Sequence, residues 1–383
     1  MLIREKTKPE EEGKMYKKLS WGIMFFLVVT ILLTGYSEQI AASTRTVICP
    51  SGQKVVVPPA DEINRVVMTS VPLPSAYRLI EEDLSKLVGI NPGSKEDAKN
   101  SILSKIAPEI LNISDSFMKG SEVNVEELLK LKPDVIFYYG GFTKQAELYS
   151  NLGIPAIDTR PKKRGNALEM MICWVKVLGE VFEKETDIEN IINHGTEVMK
   201  EIEEKTARFE DDKKTRALVL FRISEKEIIV SGKGNQGDSW LNLTGAINVA
   251  GKINGTSNAN MEQIYKWNPE VIYIFNNAMP KDLLDNKIKG QDWSEIKAVQ
   301  NNRVYKIPVG IARWFPPSAD VPLMLQWMAQ KNYPQVFSYY QMEREIKDYY
   351  QKFYKYDISD EDVFRILHPI REKAMIRGQG KNF

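Results

Sequence analysis

The sequence predicts an α/β fold of two lobes, each with a central parallel sheet, joined by one long α-helix. Three observations lead there. Continuous apolar runs such as residues 134–139 and 270–275 alternate with amphipathic segments, the pattern of strands covered on both faces. The stretch 124–136 aligns without a gap to 260–272, with Asn, Glu, Lys, Pro, Val and Ile recurring in register, so the chain reads as two related halves. Between them, residues 186–209 carry helical spacing and heavy charge.

The chain has 383 residues, enough for two domains. Apolar content of 43% and charged content of 27% fit a folded globular protein, and a net charge of +1 gives no basic excess for nucleic acid. Two cysteines, Cys49 and Cys173, make neither a disulfide framework nor a zinc site; a single bridge between them stays open. Cys173 lies in an apolar run and reads as a buried free thiol.

In chain order, Lys14, Lys17 and Lys18 precede the apolar run 21–33, so residues 1–43 read as a signal peptide or N-terminal membrane anchor. The run is short for a spanning helix. Tyr36 stands where a bacterial lipoprotein would have its lipidated cysteine, which excludes thioether lipidation there.

The first lobe is expected over 44–165. A hairpin turns at Ser51-Gly52-Gln53, and strands follow at 65–68, 87–90, 134–139 and 155–158. Helices fall at 125–131, ended by Pro133, and at 145–152. Residues 166–212 form the connecting helical segment. There Ile188, Ile191, Ile192, Val198 and Ile202 give an incomplete apolar stripe along a rod of roughly 35 Å. The second lobe spans 213–320, with strands at 217–222, 227–230, 270–275 and 303–308 and a helix opened by Asp238-Ser239-Trp240. Residues 321–383 form C-terminal helices and tail, whose Tyr349, Tyr350, Phe353 and Tyr354 read as packing.

The order of hairpin, two Rossmann-like lobes, single linker helix and final helices resembles the helical-backbone class of periplasmic binding proteins of ABC importers. The phrases that carry the resemblance are Arg65-Val66-Val67, residues 126–136, Leu152-Gly153-Ile154-Pro155, Gly245-Ala246-Ile247-Asn248-Val249-Ala250 and Trp267-Asn268-Pro269-Glu270-Val271-Ile272. A last stretch, from Arg313-Trp314 to Val336-Phe337, looks like the iron-complex branch. The resemblance implies an extracytoplasmic, non-enzymatic binder that acts as a monomer at the membrane surface. Its partners would be a permease dimer with its ATPase. It also implies docking to the permease through one acid per lobe, which falls on Glu126 and Glu262, the equivalent acids of the repeat.

Ligands of open parallel sheets lie beyond the carboxyl ends of the strands. That rule selects Ser70–Ser75, Tyr138, Tyr139 and Arg160 in the first lobe, and Arg222, Trp240, Asn276, Asn277, Arg313 and Trp314 in the second. Arg160, Arg222 and Arg313 suit bidentate recognition of an oxyanion, and Tyr138, Tyr139, Trp240 and Trp314 could wall the site. The expected ligand is an anionic iron chelate of the ferric siderophore kind. Molybdate or tungstate, a corrinoid and haem are the alternatives. No intrinsic cofactor is expected. Direct metal ligation is not indicated, because the chain has only His194, read as a solvated helix residue, and His368, read as tail packing.

Enzyme signatures are absent from the sequence: no GxxxxGKS loop, no GxSxG elbow, no HExxH pair. A two-lobed glycosyltransferase would need a diphosphate site and a base. An anchored ligand sensor would differ only in its partner.

Overall fold

The computed structural model describes residues 44–370 apart from 82, 141, 142 and 164. The leader-like segment with Tyr36, Gly141 and Phe142 just after the run 134–139, and the end of the tail lie outside these residues. Among the described residues no helix is long and apolar enough to cross a membrane.

β1 (Arg45–Ile48) and β2 (Lys54–Val57) form the expected antiparallel hairpin. β3 (Val66–Met68) and β4 (Leu87–Ile90) begin the first lobe. A two-residue ribbon of β5 (Met118–Lys119) and β6 (Glu122–Val123) precedes β7 (Val135–Tyr138) and β8 (Ala156–Asp158). The main sheet has the order β4-β3-β7-β8, parallel throughout. β3 and β7 are buried at every position, which is why they read as unbroken apolar runs.

The second lobe holds β9 (Arg216–Ser224), β10 (Glu227–Ser231), β11 (Ile247–Asn248), β12 (Thr256–Ala259), β13 (Val271–Ile274) and β14 (Val304–Lys306). Its sheet is mixed, not purely parallel. β9, β13 and β14 run parallel, but β10 returns antiparallel on β9 and pairs β12 in the same sense. Only Glu225 and Lys226 separate β9 from β10, far too little chain for a parallel crossover.

The internal repeat is reproduced in its local contacts. Asn124 and Asn260 each cap a helix (Val125–Lys130, Met261–Trp267) by accepting the N–H of the residue three positions on. Leu128 and Ile264 are the buried contacts of these two helices. Lys132 and Asn268 both take positive φ, 45° and 40°, before the prolines that stop each helix. Asp134 and Glu270 accept the N–H groups of Arg65 and Arg216, and those arginines reach the carbonyls of Leu131 and Trp267. The last pair of clamps was not written in the repeat itself, because each arginine lies on a different strand from its acid.

Two helices lead from lobe to lobe. Ala167–Phe182 is sealed by an Asn166–Glu169 capping box and ends at left-handed Glu183. Glu185–Thr206 follows with 22 residues, a rod of about 33 Å. The expected apolar residues of this rod are buried, with Ile192 half-buried. The gap in its stripe is filled by Gly195. A Cβ there would come 2.7 Å from Leu168 Cδ1 and 3.5 Å from Pro322 Cγ, so the rod's backbone itself packs between Ala167–Phe182 and the helix Val321–Asn332. His194 is not a solvated residue. Its ring lies 5.6 and 5.3 Å from those of Tyr349 and Phe353, and burial lowers its pKa. His368 is exposed, with its ring stacked on Phe364 at 4.3 Å.

Gly195→Leu overfills this three-helix contact and should lower stability by about 1–3 kcal/mol. Gly195→Ala should change it little, because Leu168 can shift and alanine favours the helix by about 1 kcal/mol. Urea unfolding measures both, with a lower midpoint and unchanged slope expected for the leucine variant.

Candidate functional site

Each sheet reverses its strand order once, between β3 and β7 in the first lobe and between β9 and β13 in the second. The carboxyl ends at these switch points are where open sheets bind ligands. In the first lobe they present Thr69 to Val71, Tyr139, Gly140 and Arg160. Side chains fix the loops. Asn91 Nδ2 donates to the Thr69 carbonyl at 2.7 Å and Ser94 Oγ to that of Val71 at 3.0 Å. Buried Asp158 accepts the N–H groups of Gly140 and Arg160 at 2.8 and 2.9 Å. From this end rises the helix Pro92–Lys99, capped by Asn91, which carries Asp97.

In the second lobe the switch point presents Phe221 and Phe275, the residues directly after the matched ends of β9 and β13. Their rings lie 5.5 Å apart, and Phe315 joins them, stacked on Phe275 at 4.2 Å. Arg313 lies over Phe275, its guanidinium carbon 5.5 Å from the ring centre. Arg313 Nη2 reaches across to Asp97 of the first lobe, 3.1 Å from one carboxylate oxygen and 3.2 Å from the other. Both side chains are nearly buried, at 13% and 11% exposure. Arg313 Nε is buried with no acceptor among the described residues.

The strap that carries Arg313 and Phe315 is fixed from beneath by Asp320. Its buried carboxylate accepts from the Ile311 N–H (2.8 Å), Trp314 Nε1 (2.8 Å), Tyr350 Oη (2.9 Å) and Tyr354 Oη (3.0 Å). Burial raises its pKa, against the downward pull of these donors. Gly310 is required where the strap crosses this carboxylate, since a Cβ would fall 2.1 Å from Asp320 Oδ2. The Gly310 carbonyl accepts from the Ile102 N–H of the first lobe at 2.9 Å.

The structure therefore sorts the candidate residues. Arg313 sits between the lobes, on the aromatic surface. Tyr139 is half-buried and Arg160 exposed at the first lobe's carboxyl end. Tyr138 points inward, packed against Tyr149 at 5.4 Å, and burial pushes its pKa up to about 12. Arg222 is bound across the β9–β10 hairpin to Glu227 at 2.6 Å, because β9 runs on to Ser224 rather than ending at Phe221. Trp240 and Trp314 are not walls. Both are buried, and each indole N–H needs an acceptor there: Trp240 finds the Phe315 carbonyl at 2.8 Å, Trp314 finds Asp320. The helix bearing Trp240 starts at Gln236 on an Asn235 cap, two residues earlier than the sequence suggested.

The sequence reading missed Asp97, Phe221, Phe275, Phe315 and Asp320. Phe221 and Phe275 fall inside the apolar runs 217–222 and 270–275, which read as strand interior, and Phe315 lies outside any such run. Asp320 does precede Val321-Pro322, a helix-start signal, but two of its four donors, Tyr350 and Tyr354, come from a helix 30 or more residues further on. Both cysteines are free, Cys49 buried and Cys173 half-buried, with burial raising both pKa values, that of Cys173 to about 11. A recess of about 400 Å³ beside Lys214, Lys233, Asp238 and Asn248 lies at the amino end of β9, away from the switch point.

Two lobes that face one another through their switch points, with a charged side chain held on an aromatic surface between them, define a two-domain solute-binding protein. Residues 103–309 match the family described as periplasmic binding protein. The chain belongs to this family, whose members are extracytoplasmic solute binders and not enzymes. It is 26% identical to the molybdate-binding protein MolA of Haemophilus influenzae over 362 residues, covering 88% of this chain and 99% of that one. A periplasmic solute binding protein from Veillonella parvula has 30% identity and a TM-score of 0.78, with 85% of this chain and 97% of that chain covered. An ABC transporter solute binding protein from Sulfurospirillum deleyianum has 26% identity and a TM-score of 0.67, with 85% and 99% covered.

Asp320→Ala strands four buried donors at once and should cost about 3–5 kcal/mol of stability. Near-ultraviolet circular dichroism should show Trp314 losing its fixed environment, and the unfolding midpoint should fall in the same variant.

Proposed function

We propose that this protein is the extracytoplasmic solute-binding component of an ABC importer and that it carries an oxyanion on Arg313 between its lobes. The observation that carries the reading is Arg313 itself. It is a nearly buried guanidinium at the second lobe's switch point, backed by Phe275, with Nε lacking an acceptor among the described residues. Such a fork suits bidentate recognition of oxygen anions, and in a water-poor cleft each charge-assisted hydrogen bond counts for more.

Where Arg313 meets Asp97 the two lobes stand close together. That favours a small tetrahedral oxyanion of the molybdate or tungstate kind, in line with the ligand named for the Haemophilus relative. The ferric chelate expected from the sequence is the second reading. Its support is the aromatic surface of Phe221, Phe275 and Phe315 with half-buried Tyr139, suited to an organic shell.

Transport requires docking, and the repeat offers a matched pair for it. Glu126 and Glu262 sit at equivalent positions in the first turns of the two capped helices, both exposed. Glu126 is 81% exposed and pairs with Lys130 of its own helix at 3.2 Å. A basic permease surface would meet one acid from each lobe.

Two outcomes are expected. Tryptophan fluorescence titration against molybdate, tungstate, ferric citrate, cobalamin and haem should show saturable binding of the oxyanions. Arg313→Gln should weaken that binding at least tenfold, a change of about 1.4 kcal/mol; equal binding by the variant removes Arg313 from the site. Reversing Glu126 and Glu262 together to Lys should abolish cellular uptake while leaving affinity in solution unchanged, and lost affinity would speak against docking.

A further inference from the structure

The ion pair between Asp97 and Arg313 is incomplete in a specific way. A guanidinium and a carboxylate pair best through two parallel N–H···O bonds. Here Nη2 alone lies near both carboxylate oxygens, and only one approach has hydrogen-bond geometry. The other Asp97 oxygen, Oδ1, and Arg313 Nε are both buried without a hydrogen-bond partner among the described residues. The pair is thus shifted by one nitrogen from the arrangement its chemistry prefers, at a site where unsatisfied polar atoms are costly.

The contact is also not needed to join the lobes. The Ile102 N–H reaches the Gly310 carbonyl at 2.9 Å, Lys105 pairs with Asp362, and Arg78 Nη2 donates to the Tyr354 carbonyl at 3.0 Å. These contacts tie the first lobe to the strap and the C-terminal helices without Asp97. A buried ion pair is weak evidence for stability. Asp97 stands on the helix Pro92–Lys99, opposite the aromatic surface that backs Arg313.

We infer that the Asp97 carboxylate is a built-in competitor that holds the ligand's place on Arg313 and must yield Nη2 to an arriving oxyanion. The inference rests on the anion-binding reading above and adds a selection rule to it. A ligand has to outbid a carboxylate. A doubly charged oxyanion that engages Nε and Nη2 together does so, while chloride or a neutral solute does not. Binding and release of the lobe-one carboxylate then become one event, so ligand occupancy is reported to the first lobe through Pro92–Lys99.

The test is isothermal titration of molybdate and of tungstate into the full chain and into Asp97→Asn, Asp97→Glu and Arg313→Gln, with unfolding midpoints measured on each. Asp97→Asn should bind both anions at least tenfold more tightly than the unaltered chain. Asp97→Glu, which keeps the competing charge, should gain less than threefold. Asp97→Ser provides a second neutral variant should the asparagine not fold. If Arg313→Gln loses binding while the neutral Asp97 variants bind equally or more weakly, the competitor role is overturned and the anion reading stands. If all variants bind alike, or neither the unaltered chain nor its neutral variants bind, both fail.

Discussion

A carboxylate sealed from solvent at Asp320 sets the terms for the second lobe. Removing an ionised acid from water is tolerable only when its oxygens are saturated with donors, and four converge on this one. They come from the strap (Ile311, Trp314) and from the C-terminal helix Met342–Phe353 and the residue that ends it (Tyr350, Tyr354). The same aspartate stands at the head of Val321–Asn332, the helix on which the linker rod packs at Gly195. Strap, rod and C-terminal helices are therefore one mechanical unit. Arg313 and Phe315 are presented from it in a fixed orientation, the preorganisation a binding site requires.

The pseudo-symmetry of the lobes goes deeper than shared strand order. Asn124 and Asn260, Lys132 and Asn268, Asp134 and Glu270, Arg65 and Arg216 occupy the same local roles. Each clamp fixes a short helix, and with it an exposed glutamate. The symmetry is broken at the switch points. The first lobe offers loops held by Asn91, Ser94 and Asp158, the second an aromatic surface with an arginine. Two like halves thus share their clamped helices and differ at their switch points.

Much of this was legible in the sequence because burial on both faces of a sheet writes itself as a continuous apolar run. β3, β7, β9 and β13 were each visible that way, and the repeat exposed its own proline stops. The rod was legible from periodicity, and even its defect was, since the missing apolar residue is the glycine that lets helices touch. The mixed sheet was not foreseen, although the two residues between β9 and β10 admit only a hairpin. Side-chain destinations were the weak point. Trp240 and Trp314 look like cleft aromatics from their position after strands, yet the Trp240 indole N–H finds its acceptor across the fold at Phe315, and that of Trp314 turns inward to Asp320 six residues on. Asp97 carried no local signal at all, because its partner lies in the other lobe.

The central claim is that an oxygen anion lodges between the lobes on Arg313. Crystals grown with tungstate and measured at the tungsten absorption edge locate that anion directly, independent of any interpretation of side chains. The account predicts one strong anomalous peak within hydrogen-bond reach of Arg313 Nε and Nη2, with Asp97 turned aside. A peak confined to the recess by Lys214 and Lys233, or no ordered peak between the lobes at saturating tungstate, would contradict it.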